Sequence, residues 1–142
     1  MLRDLSPEVT NHLLKNQFFG RLGCAADGQV LVLPVTYFYD GHAIYGQMRE
    51  GTKTRLLRKN PAVCFEVDEL CSPTCWQSVV VQGVYEELQG DERLYAEQQL
   101  GPGRVAPLKA VVADGTVVTA PNPTVVYRIR IVSKTGRSET KQ

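Results

Sequence analysis

The sequence predicts a mainly β fold, with six antiparallel strands closing into a small barrel and helices inserted at three points. Two tight-turn signals, Asp27-Gly28 and Asp40-Gly41, separate short strand-forming runs, which is the pattern of an antiparallel meander. The three consecutive valines within Trp76 to Glu86 ask for burial on both faces, as in a closed barrel. Hairpin turns stand where parallel strands would need long crossovers, so a doubly wound sheet is disfavoured.

The elements follow in order. Ser6-Pro7-Glu8 is a helix start, with a capping hydroxyl, proline at the first helical position and an acid in the first turn. Val9, Leu13 and Leu14 supply the apolar stripe of a helix from about Pro7 to Lys15, so residues 1–17 form an N-terminal helical segment. Phe19 to Ala26, Val30 to Tyr39 and His42 to Gly46 are the first three strands, and Pro34 marks a bulge or an edge in the second. A short basic helix runs from Thr52 to about Asn60, where Pro61 ends it. Ala62 to Asp68 and Trp76 to Glu86 are further strands, and Gly83 suits a bend or bulge. Asp91 to Leu100 is helical and stops at Gly101-Pro102-Gly103. In residues 101–123, Val111-Val112 and Val117-Val118 fit short strands or packed loop equally well. Thr124 to Val132 is the sixth strand, with Val125, Tyr127, Ile129 and Ile131 on one face and Arg128 and Arg130 on the other. The polar tail, 133–142, is expected to fray.

Composition limits the function classes. The 142 residues make one domain, and 43% hydrophobic with 22% charged residues is ordinary for a globular chain. A net charge of +1 gives no global field that would favour nucleic acid or a membrane surface. No apolar run reaches the length of a membrane span, and no apolar segment follows Met1-Leu2-Arg3-Asp4-Leu5, so a cytoplasmic protein is expected. Cys24 and Cys64 are expected as buried free thiols. Cys71 and Cys75 form C-x3-C in a loop; incidental loop cysteines are the preferred reading, ahead of a redox pair or part of a metal site.

No nucleophile elbow, P-loop, G-x-G-x-x-G or HExxH motif occurs, and spacing suggests no Ser/His/Asp arrangement. No catalytic residue and no metal ligand is assigned. The most informative stretch is Tyr45 to Lys59, where Lys53, Arg55, Arg58 and Lys59 crowd one short helix. Lys53 in a first turn is unfavourable beside the positive helix end unless an anion is present. First-turn amides, the Thr52 hydroxyl and the Lys53 ammonium together suit a phosphate; a solvated basic helix is the plainer reading.

Several segments taken in order resemble one known family. They are Gly20-Arg21-Leu22-Gly23-Cys24, Leu33-Pro34-Val35-Thr36-Tyr37, Ile44 to Lys53, Arg58 to Asp68 and Trp76 to Gly83, with Val125 to Ile131 closing the set. The resemblance is to the flavin-binding split-barrel proteins related to pyridoxamine 5′-phosphate oxidase, in particular the nitroimidazole-reductase-like branch. It implies a split β-barrel homodimer with flavin mononucleotide (FMN) at the subunit interface and oxidoreductase chemistry on a small molecule.

Carried over by position, it places Pro34, Val35, Thr36 and Tyr37 along the flavin ring edge. Tyr45, Gly46, Gln47 and Met48 would lie at the ring and ribityl chain, and Thr52 and Lys53 would hold the phosphate. Trp76, Gln77 and Ser78 would approach from the partner subunit. Gln47-Met48 stands where the branch commonly has histidine followed by serine or threonine, and glutamine cannot titrate near neutral pH. A flavin carrier or redox sensor is therefore the alternative. A haem-binding role is a third reading, for which only His12 and His42 could ligate iron.

Overall fold

In the computed structural model the described residues are 1–101, 109–111, 117–119 and 123–140, with 109–111 and 117–119 described as strand backbone. The described order is β1 (Leu2–Asp4), α1 (Pro7–Asn16), β2 (Phe19–Ala26), β3 (Gln29–Thr36), β4 (Phe38–Tyr39), β5 (Ala43–Arg49) and α2 (Thr52–Lys59). Then come β6 (Ala62–Ser72), β7 (Cys75–Glu87), α3 (Gly90–Leu100), β8 (Lys109–Val111), β9 (Val117–Thr119) and β10 (Thr124–Thr140).

One antiparallel sheet runs β3-β2-β6-β7-β10-β5-β4, with β1 added on β10. Its two end strands, β3 and β4, are separated in sequence by Tyr37 alone. A sheet whose opposite ends are joined by one residue must curl round, and the predicted barrel follows from that joint. Tyr37 also fastens it: its hydroxyl donates to the Leu14 carbonyl (2.8 Å) and its N–H to the Phe18 carbonyl (2.9 Å). β3 is an edge strand, which is where Pro34 can lack a ladder donor without loss.

The six expected strands are present, and among the described residues the count is corrected upward to ten. The stretch Val30 to Tyr39 divides at Tyr37 into β3 and β4. β1 escaped notice because it is three exposed residues without an apolar period. β8 and β9 pair as a separate ribbon, so Val111, Val117 and Val118 are strand residues, while Val112 lies outside the described residues. The tail is also corrected: Ser133 to Thr140 continue β10, paired with β7 throughout and with β1 at Arg137–Glu139.

Alternation fills the barrel. Val63, Phe65 and Val67 of β6 and Val79, Val81 and Tyr85 of β7 point inward with Leu22, Leu33, Tyr127 and Ile129. The expectation that all three valines are enclosed is corrected, because Val80 is half-exposed on the outer face. α1 contributes Leu13 and Leu14, and α2 contributes Leu57. Full burial of each such leucine contributes roughly 1.5–3 kcal/mol. A smaller cluster of Tyr45, Leu88, Ala96, Leu100 and Val126 packs α3 against the outer face of β5 and β10.

The bulge expected at Gly83 lies on the opposite strand. The β10–β7 register shifts between Ile131 and Ser133, directly across from Gly83 and Gln82. Gly83 is required there, since a Cβ would stand 2.6 Å from Ile129 Cγ2 and 2.7 Å from the Arg130 carbonyl oxygen. Gly83→Ala is expected to lower stability by about 1–3 kcal/mol through overpacking, read as a shifted urea midpoint at unchanged slope. An unshifted midpoint would mean that β10 yields freely at its bulge.

Candidate functional site

The strand β5 and the start of α2 place the expected site residues on two faces. Tyr45 and Gln47 point outward, toward α3, whereas Gly46 and Met48 point into the barrel. Tyr45 packs edge-on against Tyr95, with ring centroids 5.5 Å apart, and burial followed by the nearby Asp40 carboxylate pushes its hydroxyl pKa up. Gly46 leaves room for the Tyr127 ring, since a Cβ there would meet Tyr127 Cζ at 2.6 Å. Met48 packs on the barrel core. The Gln47 Oε1 atom is buried and has no hydrogen-bond partner among the described residues.

Beyond β5 the chain turns at Glu50-Gly51 into α2. Thr54 ties this corner: its hydroxyl accepts from the Gly51 N–H (2.9 Å) and lies 2.8 Å from both Glu50 Oε2 and the Gly51 carbonyl. The first backbone bond of the helix runs from the Arg55 N–H to the Gly51 carbonyl (3.1 Å), so earlier amides have no intrahelical acceptor. The four cations have different fates. Arg58 is gripped by Glu50 and by Glu87 (2.6 Å), and Lys59 pairs with Asp27. Arg55 donates to the Thr52 hydroxyl (3.1 Å). Lys53 is exposed and has no ion pair or hydrogen bond among the described residues.

Of the residues expected along a ring edge, Val35 and Tyr37 are buried in the barrel, while Pro34 and Thr36 face outward. Trp76, Gln77 and Ser78 lie elsewhere. Gly46 pairs with Tyr127, but Trp76 pairs with Glu139, twelve positions further along β10. At the rise of a strand that is roughly 40 Å along its length. One chain therefore does not bring the two groups together.

Trp76 and Ser78 instead line a groove of about 910 Å³ with Leu5, Val80, Lys134 and Arg137. The sequence reading missed its β10 wall, because the stretch from Ser133 is polar on both faces and gives no hydrophobic period. Behind the groove the Ser78 hydroxyl donates to Glu66 (2.9 Å), and Arg21 bridges Glu66 (3.3 Å) and Asp68 (3.1 Å). His12 and His42 are both exposed, and His12 shares a hydrogen bond with Asn16 (2.6 Å).

Residues 6–138 match the pyridoxamine 5′-phosphate oxidase family. The chain belongs to that family. Its fold is shared with a flavin adenine dinucleotide (FAD)-binding protein from Mesorhizobium loti, at 33% identity over 99% of both chains and a TM-score of 0.79. It is shared also with a protein from Bacteroides thetaiotaomicron described as a candidate 5-nitroimidazole antibiotic resistance protein. There the identity is 15%, over 97% of this chain and 87% of the other, with a TM-score of 0.73, a likeness of fold alone. An uncharacterized protein of Rhizobium meliloti is 32% identical over 97 residues, which are 68% of this chain and 64% of that protein's length. Membership of the oxidase family accounts for the segments from Gly20 to Ile131 that matched in order.

Burial and then the adjacent Asp68 push the Glu66 carboxyl up, against the opposing pull of the Ser78 hydroxyl and Arg21. A carboxyl raised in the folded state contributes stability that is present at low pH and lost as pH rises through its folded value. Glu66→Gln, which keeps the acceptor for Ser78, is expected to gain stability relative to wild type as pH rises from acid to neutral. Thermal unfolding across that pH range checks it, and parallel curves for the two proteins would refute it.

Proposed function

We propose that this chain binds FMN along β5 and the start of α2 and works as a flavin-dependent oxidoreductase on a small molecule. The observation that carries the reading is Lys53, an ammonium with no acid partner among the described residues, beside first-turn amides that have no intrahelical acceptor. A phosphate monoester supplies the missing negative charge and acceptors, and the Thr52 hydroxyl, which accepts from Arg55, keeps its own proton to donate. Gln47, six positions before Lys53, offers a carbonyl that lacks a donor, which suits a polar ring edge. Pro34, Thr36 and the backbone of Tyr45–Met48 border the same region. Bound there, the flavin supplies the electron transfer, while the chain binds, orients and excludes water.

The reading includes a homodimer. Tyr45 to Met48 hold one part of the expected site and Trp76, Gln77 and Ser78 the other, at opposite ends of β10, so in this reading a second copy completes it. An apolar outer face is available for such a contact: Val30, Val32 and Val132 are 79%, 68% and 66% exposed around a hollow of about 530 Å³. Among the described residues no helix is long and apolar enough to cross a membrane, and we place the activity in the cytoplasm. A carrier or sensor role is the second reading, favoured by Gln47, whose amide cannot shuttle a proton. Turnover of the bound flavin with a nicotinamide donor and an acceptor would exclude it.

Absorbance titration with FMN and FAD tests the proposal. Wild type is expected to bind, and Lys53→Ala to bind about ten- to a hundredfold more weakly, the loss of a charge-assisted contact of about 1.5–3 kcal/mol. Binding unchanged in the variant would displace the phosphate from α2, and no flavin band in wild type would end the reading. Gln47→Leu is expected to act in opposite directions. It should stabilise the flavin-free protein by about 1 kcal/mol, by removing an unsatisfied acceptor, yet weaken flavin binding several-fold. Lower stability of that variant would show that Gln47 is structural. Val32→Asp is expected to convert a sedimenting dimer to monomer, and a monomeric wild type would exclude the shared site.

A further inference from the structure

Cys71 and Cys75 are joined by a disulfide at the tip of the β6–β7 hairpin, with Cα atoms 5.3 Å apart. Neither the family reading nor the proposed cofactor site uses it. The hairpin does not need it: β6 and β7 pair without a break from Ala62–Val84 to Leu70–Trp76, and Ser72–Cys75 pair again beyond a register shift. The bond closes only three residues, Ser72, Pro73 and Thr74, which is the loop size that gains least from a cross-link. The Thr74 N–H already folds that turn by donating to the Ser72 hydroxyl (3.2 Å). Cys71 is exposed, Cys75 half-buried, and Cys75 leads directly into Trp76 and the groove it lines. A reachable disulfide with little structural role, in a protein that we place in a reducing compartment, is of the labile kind.

We propose that Cys71–Cys75 is a second redox centre, a disulfide that accepts two electrons from a dithiol directly beside Trp76. A thiolate of the dithiol attacks the exposed Cys71 Sγ, forming a mixed disulfide and breaking the Cys71–Cys75 bond. Cys75 leaves as a thiolate and takes up a proton. The second thiol of the reductant, losing its proton, then attacks its partner sulfur in the mixed disulfide and expels Cys71 as a thiolate, which is protonated in turn. The dithiol ends as its own disulfide, and both cysteines are reduced. Cys24, buried on β2, and Cys64, half-buried seven residues before Cys71 on β6, are free thiols that take no part.

Trp76 is the single tryptophan of the chain, so its emission reports this corner alone. The test equilibrates the purified protein, without added flavin, across ratios of reduced to oxidised dithiothreitol. It reads Trp76 emission, far-ultraviolet circular dichroism and the sites of iodoacetamide labelling. Emission is expected to move in one step, from about one-tenth to nine-tenths complete over a hundredfold change in ratio, as a two-electron exchange requires. Circular dichroism should stay constant while two new labelled sites appear at Cys71 and Cys75. The double variant Cys71→Ser/Cys75→Ser should keep the fold and lose the response. Emission that moves only together with loss of circular dichroism would make the bond a structural staple and overturn the proposal. So would a disulfide that no ratio reduces, or cysteines that stay as thiols in oxidised buffer. Because no flavin is read, failure here leaves the cofactor reading standing, and failure of the flavin titration leaves this one standing.

Discussion

β10 has to be a neighbour to three strands at once, and the rest of the molecule follows from how it manages that. Its first half, Thr124 to Arg130, lies between β5 and β7, with Tyr127 and Ile129 inside the barrel and Val126 under α3. From Val125 to Ile129 both faces are covered, and this stretch is apolar except for Arg128, which is held by Glu86 at 3.1 Å and Glu92 at 3.3 Å. Past the bulge opposite Gly83 the same strand exchanges β5 for β1 and becomes polar on both faces. A strand buried at one end and open at the other gives the molecule a closed end and an end with a groove. The helix α2 leaves from the closed end and Trp76 stands at the open one, so the candidate site divides between them.

Charge at α2 is settled locally. The whole chain carries only +1, so no long-range field gathers anions to it. Glu50 and Glu87 neutralise Arg58; among the described residues Arg55 keeps only a hydrogen bond to Thr52, and Lys53 has neither an acid nor a hydrogen bond. Such exposed pairs add little to stability, so their effect here is on charge distribution. A like charge kept at the positive end of a helix dipole disfavours the apo state, and an anion bound there removes that cost.

The legible parts of the sequence were those with a period. Alternation in Val125 to Ile131 separated the face that the structure turns into the barrel with Tyr127, Ile129 and Ile131, and the Asp27-Gly28 signal is borne out by φ of 53° and 76° in that hairpin. Ser6 capping α1 was legible for the same reason, because a hydroxyl in front of Pro7 has one good use, here to the Val9 N–H at 3.3 Å. What the sequence hid had no local signature. Ser133 to Thr140 reads as a frayed tail because its strand state comes from β7 and β1 on either side, not from its own propensity. The disulfide was weighed and set aside, since spacing alone does not say whether two cysteines of a loop face each other across a hairpin. At the end of β3, the alternation of Val35 and Tyr37 against Thr36 is in the residue types themselves, and the structure turns the first pair into the barrel.

Among the described residues two buried side-chain oxygens lack hydrogen-bond partners, and they do not carry the same meaning. Tyr127 Oη lies at the tip of a fully buried ring closed in by the Gly46 backbone, and burial pushes its pKa up. Its ring packs against Tyr85, with centroids 5.3 Å apart, so the residue belongs to the core and not to a surface that a ligand meets. Gln47 is only half-buried as a residue, on the outward face beside the turn that leads to Lys53. Its amide can turn over and offer either a donor or an acceptor to that face. An apolar residue would pack against the second core without the penalty of an unsatisfied acceptor, about 1–3 kcal/mol. Stability alone gives no reason for an amide at that position. A ligand with complementary polar groups gives one, and the adjacent anion-accepting helix start limits which ligands qualify.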